Sequence, residues 1–258
     1  MSYRTLSVAK EGPLGIVTIN RPDALNALSR ELVSELIAVL SALEADEEVR
    51  CLVVTGSDRA FSAGADIKEM VDMSAVQMAM TEHFFPLWDK VGRYPKPLVG
   101  ALSGFVLGGG LELAMSLDVL IASETTQMGQ PEINIGVIPG GGGTQRLTRA
   151  VGKYKAMEMI LTGTRIGAEE AKTLGLVSRV VPKEAYLEEA KKVAREIASK
   201  SPMSVKLAKM AVNKAFETGL GAGLDFEREL FYLLFASEDA KEGMKAFMEK
   251  RKPAFKGK

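Results

Sequence analysis

SGFVLGGGLELAMSLDVLIASETTQMGQPE, from Ser103 to Glu132, is the stretch whose reading orders the rest of the chain. A strand-like run, KPLVGALSG, leads into it. Three glycines, Gly108, Gly109 and Gly110, then run directly into good helix formers from Leu111 to Met115, and DVLIAS and TQMG follow as short strands. Strand, bare turn, helix and strand in close succession form an α/β pattern. The first turn of a helix leaves N–H groups without intrahelical partners, and glycine lets a ligand approach them without a Cβ in the way. The turn is therefore a candidate anion site. Glu112 falls in that first turn, where the helix dipole favours its ionised form, although a Glu in this position is as often only a dipole or capping partner. Glu132 follows in GQPE, where Pro131 denies Gln130 the helical region and keeps the backbone extended. Backbone donors and two carboxylates are thus candidates to meet in one place.

Working outward, YRTLSVAK and GIVTIN read as a hairpin around EGPLG, and Ser29 is a candidate N-cap for the helix SRELVSELIAVLSALEAD. CLVVTG is a buried strand. After the small-residue loop SDRAFSAGAD, Asp66 and Glu69 have the spacing of a capping box. The Met-rich and aromatic run MVDMSAVQMAMTEHFFPLWDKV reads first as a core-facing helix, because Met fills gaps in cores. PGGGGTQRLTRAVG has neither phosphate-loop spacing nor GxGxxG; its glycines serve a tight turn before Thr144 opens a helix. GAEEAKTLGL is a short helix stopped by Gly175, and VSRVV is a strand. From Ala185 onward the pattern is helical, with apolar faces on Pro202 to Ala215, Leu224 to Ala236 and Ser237 to Met248. Such faces need partners.

Composition narrows the function classes. The 258 residues carry 33 Lys plus Arg against 33 Asp plus Glu, which argues against broad nucleic-acid binding. The single cysteine, Cys51, excludes an intrachain disulfide and reads as a buried, inert thiol. One histidine, His83, makes a site of several His and Cys ligands unavailable and gives no support to a Ser-His-Asp triad. No segment approaches the roughly 18 apolar residues of a membrane span, and no presequence is evident. A cytoplasmic protein is expected.

Four further stretches share one pattern: NRPDALNAL from Asn20, FSAGADIKEM from Phe61, GQPEINIGVIPGGGGTQRL from Gly129 and the ending EGMKAFMEKRKPAFK. With GFVLGGGLELAM from Gly104, they resemble the signatures of the enoyl-CoA hydratase (crotonase) family, in order and with similar spacing. The resemblance implies an α/β fold of the crotonase type, a right-handed ββα spiral over residues 1–200. It also implies a C-terminal helical region, 201–258, that mediates homotrimers or dimers of trimers. The implied reaction is reversible hydration of 2-trans-enoyl-CoA to an S-configured 3-hydroxyacyl-CoA, in fatty-acid β-oxidation or related acyl-CoA metabolism. The backbone N–H groups of Ala65 and Gly109 would form the oxyanion hole, with Glu112 and Glu132 as the acid-base pair. The dipole argument assigns Glu112 to activating water and Glu132 to protonating C2. Ala24, Leu25, Ala63, Asp66, Ile67, Lys68, Gly108 and Pro131 are the implied substrate and CoA contacts, with Phe247 against the adenine and Lys250 on a phosphate, Arg59 or Lys68 assisting. No cofactor or metal is required, since coenzyme A arrives with the substrate. In this light the Met-rich run is also a candidate wall for an acyl tail. Two alternatives stay open: a double-bond isomerase working through one carboxylate, and a noncatalytic acyl-CoA-binding or RNA-associated protein.

Overall fold

The computed structural model describes residues 3–80 and 85–258. Strands β1 (Leu6–Glu11) and β2 (Leu14–Ile19) form the expected hairpin, with Leu6 opposite Ile19. Leu25 and Asn26 turn the chain at positive φ, and Ser29 then caps α1 (Arg30–Ala45) by accepting from Leu32 N. Helix α1 buries Leu32, Val33, Leu36, Val39, Leu40 and Leu43, a stripe at helical spacing. Three turns of one pattern follow. The first is β3 (Cys51–Thr55), β4 (Ala60–Ser62), α2 (Ala75–Met80) and α3 (Phe85–Gly92). The second is β5 (Leu98–Leu102), β6 (Phe105–Leu107) and α4 (Gly109–Ala114). The third is β7 (Val119–Ser123), β8 (Gln127–Gly129), α5 (Gly143–Val151) and α6 (Lys153–Thr162). Then β9 (Arg165–Gly167), α7 (Ala168–Thr173), β10 (Arg179–Val181) and α8 (Tyr186–Ala198) close the spiral.

Each turn deposits one strand in each of two sheets, ordered β1-β2-β3-β5-β7-β10 and β4-β6-β8-β9. All pairings are parallel except β1 with β2 and β8 with β9. A parallel sheet must be covered on both faces, and β3 shows how the sequence meets that need. Leu52 and Val54 join the main core with α1, whereas Cys51 and Val53 face Tyr186, Ala190, Val193 and Ala194 of α8. Burial pushes the Cys51 thiol up to about 12, consistent with an inert side chain.

The tail consists of α9 (Pro202–Lys214), α10 (Leu220–Leu234) and α11 (Glu238–Met248). Lys209 anchors α9 on Asp118, at 2.7 Å, and Asp118 also accepts from Leu98 N. Asp239 ties the chain terminus to the start of α11, accepting from Lys256 N and Gly257 N and donating its own N–H to Lys258 O. Helix α10 begins one turn earlier than its apolar pattern indicates and buries no side chain; Leu220, Phe231, Tyr232, Leu233 and Phe235 are exposed. No helix among the described residues is long and apolar enough to cross a membrane.

Two local expectations fail. Asp66 makes no capping bond; it pairs with Arg21 at 3.0 Å, while Glu69 accepts from Arg30 N, so distant partners outcompete the local box and only a 3-10 turn, Ile67–Glu69, forms. The Met-rich run is not one core helix. Helix α2 buries none of its residues, whereas α3 buries Leu87, Trp88 and Val91. His83 lies outside the described residues.

Candidate active site

Two backbone amides converge because α4 packs on β4 at Gly110, where a Cβ would run into Ser62. A parallel bridge joins Leu28 to Ala65: Leu28 N donates to Gly64 O at 2.8 Å and Asp66 N donates to Leu28 O at 3.0 Å. The residues flanking Ala65 make those bonds, so the Ala65 N–H faces away from Leu28. Gly109 is the first residue of α4, and its N–H has no intrahelical acceptor. A Cβ on Gly109 would lie 3.5 Å from Ala65 N, so the two amides are neighbours. Neither is used in hydrogen bonding among the described residues. Glycine is required on both sides of Gly109: Gly108 sits at φ 51, and a Cβ on Gly110 would lie 2.4 Å from Ser62 O.

Glu112 takes its hydrogen bonds from another loop rather than from its own helix. It is 3% exposed, and its Oε1 accepts from Gly141 N and Gly143 N, both at 2.7 Å. Burial raises its pKa, opposed by those two amides and by Arg146. The helix-dipole expectation is thereby corrected, since the carboxylate is held by another loop and desolvation outweighs what stabilises its charge. Glu132 opens a 3-10 turn, Glu132–Ile135, with its Oε1 3.0 Å from where a Cβ on Gly108 would stand. Burial pushes Glu132 up to about 7, and the Glu112 charge adds to the rise. The buried Gln130 amide, oriented with its nitrogen toward Glu132, donates to both carboxylate oxygens at 2.8 and 3.1 Å. Trp88 and Leu28 complete an apolar wall, each 3.5 Å from the same Gly109 Cβ position.

Most of the predicted site residues gather here. Ala63 N donates to Leu25 O at 3.0 Å, which brings the Ala24–Leu25 turn against the Ala63–Lys68 loop, and Gly108, Gly109, Glu112, Pro131 and Glu132 come from the next two turns of the spiral. Ile67 and Lys68 are exposed on the 3-10 turn, and Arg59 is exposed beside β4. Phe247 and Lys250 stand apart, on α11 and just beyond it, with Phe247 86% exposed. The PGGGG loop holds Glu112, a role its reading as a tight turn missed; the only signal was a run of amides with no Cβ to shield them. A cavity of about 990 Å3 lined by Gly142, Arg146, Lys209 and Phe216 contains neither carboxylate, so convergent chemistry rather than volume marks the site.

Residues 9–258 match the family model described as "Enoyl-CoA hydratase/isomerase". The chain is 55% identical over 256 residues to a "Probable enoyl-CoA hydratase" of Rhizobium meliloti (strain 1021), covering 99% of each. It is 51% identical over 247 residues to the mitochondrial enoyl-CoA hydratase of Pongo abelii, covering 96% of this chain and 85% of that one. The crystal structure of the enoyl-CoA hydratase from Bacillus anthracis superposes with a TM-score of 0.94 at 37% identity, covering 99% of this chain and all of the other.

Proposed function

We propose, for a chain that belongs to the enoyl-CoA hydratase/isomerase family, that it adds water reversibly across the double bond of a 2-trans-enoyl-CoA, with Glu112 and Glu132 as the acid-base pair. The observation that carries this reading is the meeting of the buried Glu112 and half-buried Glu132 carboxyl groups, the charge of the first raising the pKa of the second, with two unused amides. Attack of water at C3 places negative charge on the thioester oxygen. The Ala65 and Gly109 amides are aimed at that charge, an arrangement in which each donor is worth roughly 2.7 to 4 kcal/mol of activation free energy. Glu112 accepts the proton that water loses, and Glu132 gives one to C2. The elevated pKa of Glu132 suits a group that must be protonated near neutrality, while the two amides and Arg146 support the anion of Glu112. Coenzyme A enters with the substrate, and no step calls for a further cofactor.

Incubation of the purified protein with 2-trans-enoyl-CoA substrates from short to long chains tests the reading. An S-configured 3-hydroxyacyl-CoA is the expected product. Efficient conversion of 3-enoyl-CoA without hydration would establish the isomerase alternative in its place.

The exposed apolar face of α10 supports self-association into a trimer or a dimer of trimers, the C-terminal region of one copy completing the CoA site of the next. From Lys241 to Lys258 seven basic residues oppose two acids, and both acids pair with Arg251, at 2.6 Å each. Among the described residues neither acid of the segment pairs with Lys250, three positions beyond the exposed Phe247. Phe247→Ala combined with Lys250→Ala is expected to raise KM for enoyl-CoA by about tenfold, chiefly through lost aromatic packing. The effect on an enoyl-pantetheine lacking the nucleotide should be much smaller. Light scattering must show the same assembly; equal losses on both substrates would place these residues outside the nucleotide site.

A further inference from the structure

We propose that Arg146 is a positioning residue that fixes the Glu112 carboxylate through the Gly141–Gly143 loop. Gly141 is gripped at both ends: its N–H donates to Glu112 Oε1 at 2.7 Å, and its carbonyl accepts from Arg146 Nη1 at 2.9 Å. The loop is built around that guanidinium. A Cβ on Gly142, at φ 107, would lie 2.1 Å from Arg146 Nη1, and one on Gly92 at the end of α3 would lie 3.4 Å from Nη2. The first turn of α5 closes on the same loop, with Gln145 N and Arg146 N both donating to Gly142 O. An arginine in this seat orients Gly141, and with Gly143 it keeps Glu112 Oε1 occupied. Glu112 Oε2 is left as the oxygen free to work on water.

Its charge acts in the same direction. Arg146 opposes the burial that makes Glu112 reluctant to ionise. The other charged groups that bear on this pair among the described residues are Glu132, from the turn after β8, and Asp89, from α3, which faces Arg146. A neutral residue at 146 should therefore raise the pKa of Glu112 and narrow the pH range over which it is a base.

The inference rests on Glu112 being the base, and the test separates the two claims. Arg146→Gln is expected to lower kcat by roughly thirtyfold, the scale of a misplaced catalytic group, with KM within about twofold of wild type. The acid limb of kcat should move to higher pH, which a merely structural defect would not produce. In a Glu112→Gln background the same substitution should cost less than about twofold, because the group it positions is already gone. Arg146→Lys keeps the charge but loses the planar fork, and is expected to lose about fivefold with the acid limb nearly in place. Wild-type kcat in Arg146→Lys, an unmoved acid limb in Arg146→Gln, or an undiminished loss in the Glu112→Gln background would each overturn the proposal. Should circular dichroism show Arg146→Gln unfolded, the Arg146→Lys kinetics decide. If Glu112→Gln itself retains full turnover, the acid-base reading fails; if it is inactive while Arg146→Gln is normal, only this inference does.

Discussion

Glu112→Gln and Glu132→Gln are each expected to lower kcat for hydration by at least about a hundredfold while leaving the fold intact, since each removes one proton transfer without altering side-chain size. At Glu112 the amides of Gly141 and Gly143 still find an acceptor in the Gln oxygen, so loss of activity reports lost basicity rather than a collapsed loop. Stability measurements at Glu132 make the same separation from the opposite direction. Its folded pKa of about 7 stands above the ordinary 4.5, so the half-buried acid is tolerated below that lower value and its ionisation costs stability progressively as pH rises through about 7. Glu132→Gln cannot ionise. It should match wild type in denaturant near pH 4.5 and exceed it at pH 8, an inactive variant that is more stable than its parent. Full turnover in either folded variant defeats the acid-base assignment. Activity lost in only one of them, with rapid isomerisation of 3-enoyl-CoA, transfers the protein to the one-carboxylate mechanism.

Gly109→Pro should cost roughly a hundredfold to a thousandfold in kcat, the loss associated with deleting one oxyanion donor. The position suits the experiment because Gly109 is the first residue of α4, where proline's fixed φ and missing N–H are tolerated. Gly109→Ala is the control. Its Cβ would meet Ala65 N, Leu28 Cδ1 and Trp88 Cζ2 at 3.5 Å, ordinary contact, while the N–H is retained. The expected result is a much larger fall for proline than for alanine, with binding of a saturated acyl-CoA changed less than turnover. Equal losses in the two variants would assign the effect to crowding and remove Gly109 from the mechanism.

Features set by neighbours along the chain were legible. The β1–β2 hairpin, the Ser29 cap, the glycine turn into α4 and the Gly175 stop each follow from a few adjacent residues, and each is present. Where the reading failed, a distant group had taken over a local one. Asp66 and Glu69 have capping-box spacing but are claimed by Arg21 and by Arg30 N, residues 45 and 39 positions away. The Met-rich run is apolar enough for a core helix, yet α2 turns every one of its residues outward or half outward. Helical periodicity records which side chains share a face and is silent on whether anything covers it.

The same division holds at the site. The sequence by itself determined the order of the motifs, the two carboxylates and the two amide-bearing turns, because helix starts and glycine turns are local events encoded within a few residues. Tertiary structure alone decided the chemistry of those groups. Glu112 lies in a first helical turn, and the dipole favours its charge; folding buries it, turns it to Gly141 and Gly143, 29 and 31 residues onward, and raises its pKa. Desolvation depends on every element packed around a group, and two neighbouring carboxyl groups influence each other through space rather than along the chain, so neither effect can be read from the residues beside Glu112 or Glu132.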